Sequence, residues 1–220
     1  MKKLTVLFTV FLLFSVTVVG LASDWEVIGG FTYTTIDSDE LDDFVDSLNN
    51  SLEEEAYGYD VDISKVDKID SGSGFYLGGR LPINENIKIG GYYEYFNADT
   101  EGKVKSLDFD EEIKIEMEIP VNGLVGIASY NINDYLAVNG GLGYYFGEIE
   151  IKTGPFSIMK TDLNGLGFKL GTDLNYPLNE KISIIGAANY RILTLEADDY
   201  YDDDIDFNGF EFKGGISCKL

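Results

Sequence analysis

Eight segments of the chain alternate between apolar residues and small or polar residues with a period of two. This pattern is typical of a β-strand with two unlike faces. No long segment after Asp24 is continuously apolar enough for a transmembrane helix, so the chain either stays in water or crosses a membrane as strands. The apolar faces run through Trp25 to Tyr33, Phe75 to Ile83, Ile87 to Tyr95, Leu124 to Tyr130, Leu136 to Phe146, Leu166 to Leu174, Ile182 to Tyr190, and Phe210 to Leu220.

The connections between these segments alternate between short and long. The short ones are rich in turn-forming residues and are centred on Asn84-Glu85-Asn86, Asn131 to Asp134, and Asn179-Glu180-Lys181. The long ones cover about Asp37 to Ser71, Ala98 to Glu118, Glu150 to Lys160, and Ala197 to Asp206. Short turns on one side and long loops on the other are typical of a membrane barrel. We therefore predict an all-β fold, an eight-stranded antiparallel up-and-down transmembrane β-barrel.

The first 22 residues have the pattern of an export signal. Lys2 and Lys3 precede an uncharged run that ends in the small-residue pattern Gly20-Leu21-Ala22. We predict cleavage after Ala22, which leaves residues 23–220 as the barrel domain and changes the net charge from −23 to −25 as two lysines leave. A single-pass anchor is the alternative, because the run is about as long as a membrane-spanning helix.

Each strand also has a second face, which carries the small or polar residues that alternate with the apolar ones. The composition of this second face indicates which of the two faces meets lipid. In a soluble barrel of the lipocalin kind this face would be the exterior, yet it is mostly glycine with scattered polar residues. Its charges nearly balance although the whole chain is strongly acidic, and buried charges need partners. We predict a closed interior polar network of Glu26, Arg80, Lys88, Glu94, Lys169, Asp173, Arg191, Glu211 and Lys213, with Lys219 on the same face.

The end of the last strand resembles the signal by which outer-membrane barrels are recognised for insertion. Lys213, Gly215, Cys218 and Leu220 occupy its polar, glycine and two hydrophobic positions, although the usual last residue is aromatic. With the strand and loop pattern, the chain resembles the small OmpA/OmpX-type outer-membrane barrel family. The resemblance implies a monomeric barrel in the lipid bilayer of the cell outer membrane. It also implies the barrel-insertion machinery as a partner, contacted through the C-terminal strand.

The composition excludes several classes of function. The chain has no histidine, which removes the usual general base and any Ser-His-Asp arrangement. With 39 acids and 16 bases it is repelled by nucleic-acid phosphate, and its single cysteine excludes an internal disulfide. We predict no enzymatic activity, no cofactor and no nucleic-acid partner.

The acidic stretch from Asp198 to Asp206 contains six aspartates in nine residues. Carboxylate oxygens are the ligands that calcium and magnesium prefer, although the spacing is not that of an EF-hand. A solvated acidic loop is the simpler interpretation. A weak divalent-cation site is the alternative, formed by Asp202, Asp203, Asp204 and Asp206.

The first long loop has a helical pattern. A start signal, Asp37 to Glu40, precedes apolar residues at helical spacing from Leu41 to Leu52, with acids on the other side. We predict a short amphipathic helix whose apolar stripe packs on the barrel rim or across its mouth, with partner binding as the alternative.

Two functional hypotheses follow. The first is a non-enzymatic outer-membrane barrel with a plugged interior and acidic loops, which serves envelope structure or surface interaction. The second is porin-like transport, through a small-solute channel or through a carrier of hydrophobic compounds with a lateral opening. A soluble periplasmic lipocalin-like binding barrel is a third class.

Overall fold

The computed structural model describes residues 25–55, 61–106, 112–154, 156–197 and 204–220. The predicted export signal lies outside these residues. Within them, the elements in chain order are β1 Glu26–Thr35, α1 Asp39–Glu55, β2 Val61–Ser64, β3 Ser71–Pro82, β4 Ile87–Ser106, β5 Glu112–Asn131, β6 Leu136–Thr153, β7 Phe156–Pro177, β8 Ile182–Ala197, β9 Ile205–Asp206 and β10 Gly209–Lys219.

Eight of the described strands close into an antiparallel ring. The order around the ring is β1, β3, β4, β5, β6, β7, β8 and β10, and β10 pairs again with β1. The short strands β2 and β9 pair with β4 and β8 outside this ring. Because the ring is closed, the backbone N–H and C=O groups of its strands have hydrogen-bond partners without water. Strands in lipid require such partners. The predicted fold class is confirmed.

The outer wall of the ring is apolar. Its large side chains are strongly exposed, with Phe31 at 79%, Leu166 at 73% and Leu142 at 68%. Even the least clear segment has the predicted orientation, because Leu124 and Tyr130 lie on the outward face while Val125 and Ile127 are buried. A wall of this size and composition is suited to hydrocarbon rather than water.

Two of the predicted loops are largely strands, which is a correction. The region from Ala98 to Glu118 consists mostly of the far ends of β4 and β5, and the region from Glu150 to Lys160 of the ends of β6 and β7. The period of two continues there, but charged residues replace apolar ones on the outer face. A wall beyond the lipid faces water, so this change in composition was wrongly interpreted as the end of the strands.

The three short turns share one hydrogen-bonding arrangement. In each, an asparagine Oδ1 accepts the backbone N–H groups two and three residues later, at 2.8 to 2.9 Å. The asparagines are Asn84, Asn133 and Asn179. Asparagine side chains that bond their own backbone stabilise tight turns. These turns fix the register of the hairpins at this end of the barrel, which we call the short-turn end.

Helix α1 lies at the opposite, long-loop end and confirms the predicted helix. The Ser38 hydroxyl caps it by accepting the N–H of Leu41 at 3.2 Å. Asn49 is held by two bonds to the backbone of Val66, at 2.8 and 3.0 Å. On its acidic side, Lys68 donates to Asp42 at 2.8 Å, and this hydrogen bond raises the pKa of Lys68. The helix is therefore capped and fixed to the chain that follows it.

Replacing the turn asparagine should destabilise the barrel. Asn133→Ala removes an acceptor for two backbone N–H groups, and we expect a loss of about 1 kcal/mol in the free energy of unfolding. Urea unfolding in lipid vesicles measures it. The matched control is Asp134→Ala in the same turn, whose side chain is exposed and should change stability by less than about 0.5 kcal/mol. Equal effects of the two variants would contradict the role given to Asn133.

Candidate functional site: the filled barrel interior

The nine residues of the predicted network lie in three groups along the interior. Near the short-turn end, Lys88 donates to Glu26 at 2.8 Å. Arg80 contacts Asp173 at 3.0 Å. Asp173 also accepts hydrogen bonds from two interior side chains, Asn139 at 2.8 Å and Ser129 at 3.3 Å. Lys219, placed on the same face by its spacing, is exposed.

A cavity of about 60 Å³ lies among these pairs. A water molecule needs about 10–15 Å³, so the cavity has room for several water molecules among polar partners. Its walls combine both charge signs with tyrosine rings, and they include Glu26, Tyr76, Arg80, Lys88, Tyr92, Ser129, Asp173, Asn189, Lys213 and Ser217.

A second group crosses the middle of the barrel. Lys169 contacts both Glu94, at 2.6 Å, and Glu211. Lys213 contacts the same two carboxylates, each at 3.0 Å. The Lys213 ammonium also lies 3.8 Å from the centroid of the Tyr92 ring. We call Glu94, Lys169, Glu211 and Lys213 the central cluster. Two acids and two bases contact each other across the interior, and their side chains are at most 5% exposed.

Arg191 is a separate third group. Its guanidinium lies 4.4 Å from the centroid of the Phe96 ring, and its Nε donates to the carbonyl of Phe207 at 3.1 Å. Among the described residues, its two terminal nitrogens have no hydrogen-bond partner, and the side chain is fully buried. A ring face partly compensates a desolvated cation. Arg191 thus marks the boundary between the charged interior and the apolar interior.

Glycines make room for the largest interior ring. A Cβ added at Gly123, Gly143 or Gly167 would lie 2.5 to 2.7 Å from Tyr145. These glycines lie on three adjacent strands, β5, β6 and β7, and the Tyr145 side chain is fully buried among them. The glycine face that indicated an interior is therefore matched to one large side chain.

Between Arg191 and the long-loop end, the interior is an apolar core, which was not predicted from the sequence. The far ends of the strands contribute Met117, Ile119, Val121, Ile151, Leu163, Leu193 and Leu195, each at most 2% exposed. Leu41 and Val45 of α1 and Phe207 belong to the same buried cluster. The alternation of apolar residues with charged ones from Ile113 to Ile119 was the signal that could have revealed it. The helix therefore covers a packed core.

The acidic stretch is only partly described. Asp202 and Asp203 lie outside the described residues. Asp206 accepts hydrogen bonds from Thr194 at 2.7 Å and from Asn208 at 3.2 Å, and Asp204 is exposed. No group of three or more metal-ligating side chains occurs in the part of the chain that the structure describes. Among the described residues, the helix α1 is not both long and apolar enough to cross a lipid bilayer.

Comparison with known proteins establishes the family. The sequence matches the family described as the outer membrane protein beta-barrel domain over residues 7–216. The chain belongs to this family. No curated protein has a significantly similar sequence.

Several solved structures are similar to this outer-membrane barrel. Ail of Yersinia pestis, in complex with the heparin analogue sucrose octasulfate, is 17% identical with a TM-score of 0.51, and the match covers 89% of this chain and 99% of that one. OprG of Pseudomonas aeruginosa is 18% identical with a TM-score of 0.49, covering 90% and 96%. The protease OmpT of Escherichia coli is 9% identical with a TM-score of 0.38, covering 90% and 95%. At these identities the likeness concerns the fold alone.

Family membership places this barrel in the lipid of an outer membrane. Barrels of this kind have short periplasmic turns and longer extracellular loops. The small cavity therefore lies on the periplasmic side, and α1 with the apolar core lies on the extracellular side.

Removing one charge from the central cluster should destabilise the barrel more than removing two opposite charges together. Lys169→Met leaves Glu94 and Glu211 with Lys213 as their one remaining contact in the cluster, and we expect a loss of about 3–5 kcal/mol in unfolding free energy. The double variant Lys169→Met with Glu94→Gln restores charge balance and should recover at least half of this loss. Urea unfolding in vesicles measures both. Equal stability of the single and double variants would contradict charge pairing as the cause.

Proposed function

We propose that this protein is a non-enzymatic, monomeric outer-membrane barrel whose interior is closed. Its acidic extracellular end serves envelope structure or surface interaction. The observation that carries the proposal is the stacking of two different barriers along one axis, the central cluster and the apolar core. A solute would have to separate buried ion pairs and then enter a dry, packed region.

The charge of the extracellular end supports a surface role. The chain carries a net charge of −23, and the first turn of α1 alone contains Asp39, Glu40 and Asp42. Such a surface attracts cationic partners and repels anionic ones. The heparin analogue bound by Ail is highly anionic, and the negative charge of this chain would repel such a ligand.

The absence of enzymatic activity is supported by chemistry. The sequence has no histidine, and the carboxylates of Glu94 and Glu211 are buried and contact lysines. A general base needs contact with its substrate and a pKa near the working pH. Glu94 and Glu211 lack such contact, because their carboxylates are buried against Lys169 and Lys213 in the closed interior.

A carrier of hydrophobic compounds is the second candidate, and one observation favours it. The pairing of β5 with β6 is interrupted at Ile119 and Pro120, between Glu118 and Val121. Proline cannot donate to the ladder, so the wall is weaker there. However, Ile119 and Val121 are fully buried. The interruption therefore opens onto packed side chains, and a passage would require them to move.

Conductance measurements test the closed interior. We expect no steady single-channel currents from the purified protein in planar bilayers, because both barriers block water and ions. A general porin in the same membranes serves as the positive control. Steady current steps would overturn the closed barrel in favour of a channel, whereas protein-dependent uptake of alkanes without current would favour the hydrophobic carrier.

Export and maturation can be tested on the same protein. We propose that residues 1–22 are removed and that residues 23–220 insert through the barrel-insertion machinery. The mature protein purified from outer membranes should begin at Ser23, as read by N-terminal sequencing and intact mass. A chain that retains Met1 in the outer membrane would contradict cleavage after Ala22.

A further inference from the structure

The charges of the interior network do not cancel. Two separate ion pairs match Lys88 with Glu26 and Arg80 with Asp173. The central cluster matches two lysines with two carboxylates. Arg191 is the base of the network that remains. The network therefore carries one positive charge more than its acids neutralise, in an interior where unpaired charges are unfavourable.

The charge of Arg191 is permanent and fully buried. Its exposed fraction is 0%, and a guanidinium does not lose its proton in a protein. The Nε donates to the carbonyl of Phe207, and the ring of Phe96 lies 4.4 Å away. These contacts leave the four N–H groups of the two terminal nitrogens without an acceptor among the described residues. A buried cation in this state calls for a negative partner.

Described strands bound the place where Arg191 lies. Arg191 is paired with Lys169 on β7, and Phe96 lies opposite on β4. Toward the long-loop end, the next inward-facing residues of β8 are Leu193 and Leu195, both fully buried. The apolar core therefore separates Arg191 from the acidic extracellular end.

Two further buried donors lie in the same section of the barrel. The hydroxyl groups of Tyr145 and Thr32 are buried and have no hydrogen-bond partner in the described part of the chain. The Lys169 ammonium lies 5.7 Å from the centroid of the Tyr145 ring, and Arg191 is close enough to the Tyr145 hydroxyl to interact with it electrostatically. Thr32 is paired with Lys213 of the central cluster. Unused donors thus lie near the surplus positive charge.

The surroundings of Arg191 favour a small monovalent anion as the partner. One negative charge balances the network, whereas a divalent anion would reverse the imbalance. Water can accept N–H bonds, but it leaves the charge uncompensated. The packed side chains of Phe96 and Leu193 favour an ion of about the size of a water molecule, without a hydration shell. Chloride meets these conditions.

We propose that Arg191 binds a chloride-sized monovalent anion inside the barrel, with the Tyr145 hydroxyl as a second donor. The anion neutralises the surplus charge and accepts hydrogen bonds from the terminal N–H groups. The rotatable bonds of the Arg191 side chain allow the small movement that seating the ion requires. Because the central cluster and the apolar core close the site on both sides, the ion is taken up as the barrel folds and does not pass through it.

Urea unfolding of the protein in lipid vesicles tests the site in different sodium salts at equal ionic strength. We expect the unfolding equilibrium constant to be at least about fivefold smaller in chloride or bromide than in gluconate, because an ion bound only by the folded state stabilises it. Fluoride holds its hydration shell more strongly and should give the same result as gluconate.

A matched pair of arginine variants locates the effect. Arg191→Met removes the surplus charge, so it should abolish the difference between chloride and gluconate and be at least as stable as the parent in gluconate. Arg80→Met removes an arginine that contacts Asp173, and it should keep the chloride effect although overall stability falls. Tyr145→Phe removes only the hydroxyl and should reduce the chloride effect to about twofold or less.

Crystals grown in sodium bromide locate the ion in the unaltered protein, independently of how any variant folds. We expect an anomalous bromine signal at hydrogen-bonding distance from the terminal nitrogens of Arg191. A water molecule alone at this place, or bromide bound only in the cavity beside Lys88, would overturn the inference. Equal stability in chloride and gluconate would also overturn it, as would a chloride effect that persists in Arg191→Met. Conductance is a separate measurement, so these failures leave the proposed function standing.

Discussion

Closure of the eight-stranded ring is the constraint on which the rest of this structure depends. Strands in lipid have no water to satisfy their backbone groups, so β10 must return to β1 and every ring strand must have two neighbours. Closure fixes a narrow interior that side chains must fill. Because the outer wall is already given to apolar residues that contact lipid, the polar residues of the strands have to find partners inside.

The partners of these polar residues differ along the length of the interior. Near the periplasm, ion pairs surround a small cavity with room for water. In the middle, Lys169 and Lys213 each contact Glu94 and Glu211. Beyond Arg191 the inner faces of the strands become apolar, and further along β4 to β7 charged residues replace apolar ones on the outer faces. The two faces of the strands thus exchange character toward the long-loop end, and α1 covers the apolar interior there.

This inversion also explains the character of the extracellular end. Once the strands project into water, the sheet needs a hydrophobic core of its own, and Leu41, Val45 and Phe207 complete it. The far end of β4 is covered on one side, because β2 pairs with Lys103–Ser106. The extracellular end is therefore built largely on a supported sheet rather than on loops alone, and its strands hold their residues in fixed register.

The sequence by itself determined the eight strands, their inward and outward faces, the position of the short turns and the helix after β1. These follow from local periodicity and turn chemistry, which do not depend on distant contacts. Which charges meet was decided only by the tertiary structure, because Glu94, Lys169 and Glu211 lie on β4, β7 and β10 and are brought together by closure. The same is true of Tyr145 among Gly123, Gly143 and Gly167, and of the apolar core. The length of β4 to β7 was misjudged because the solvent outside the barrel changes from lipid to water, and with it the residue type that a strand's outer face requires.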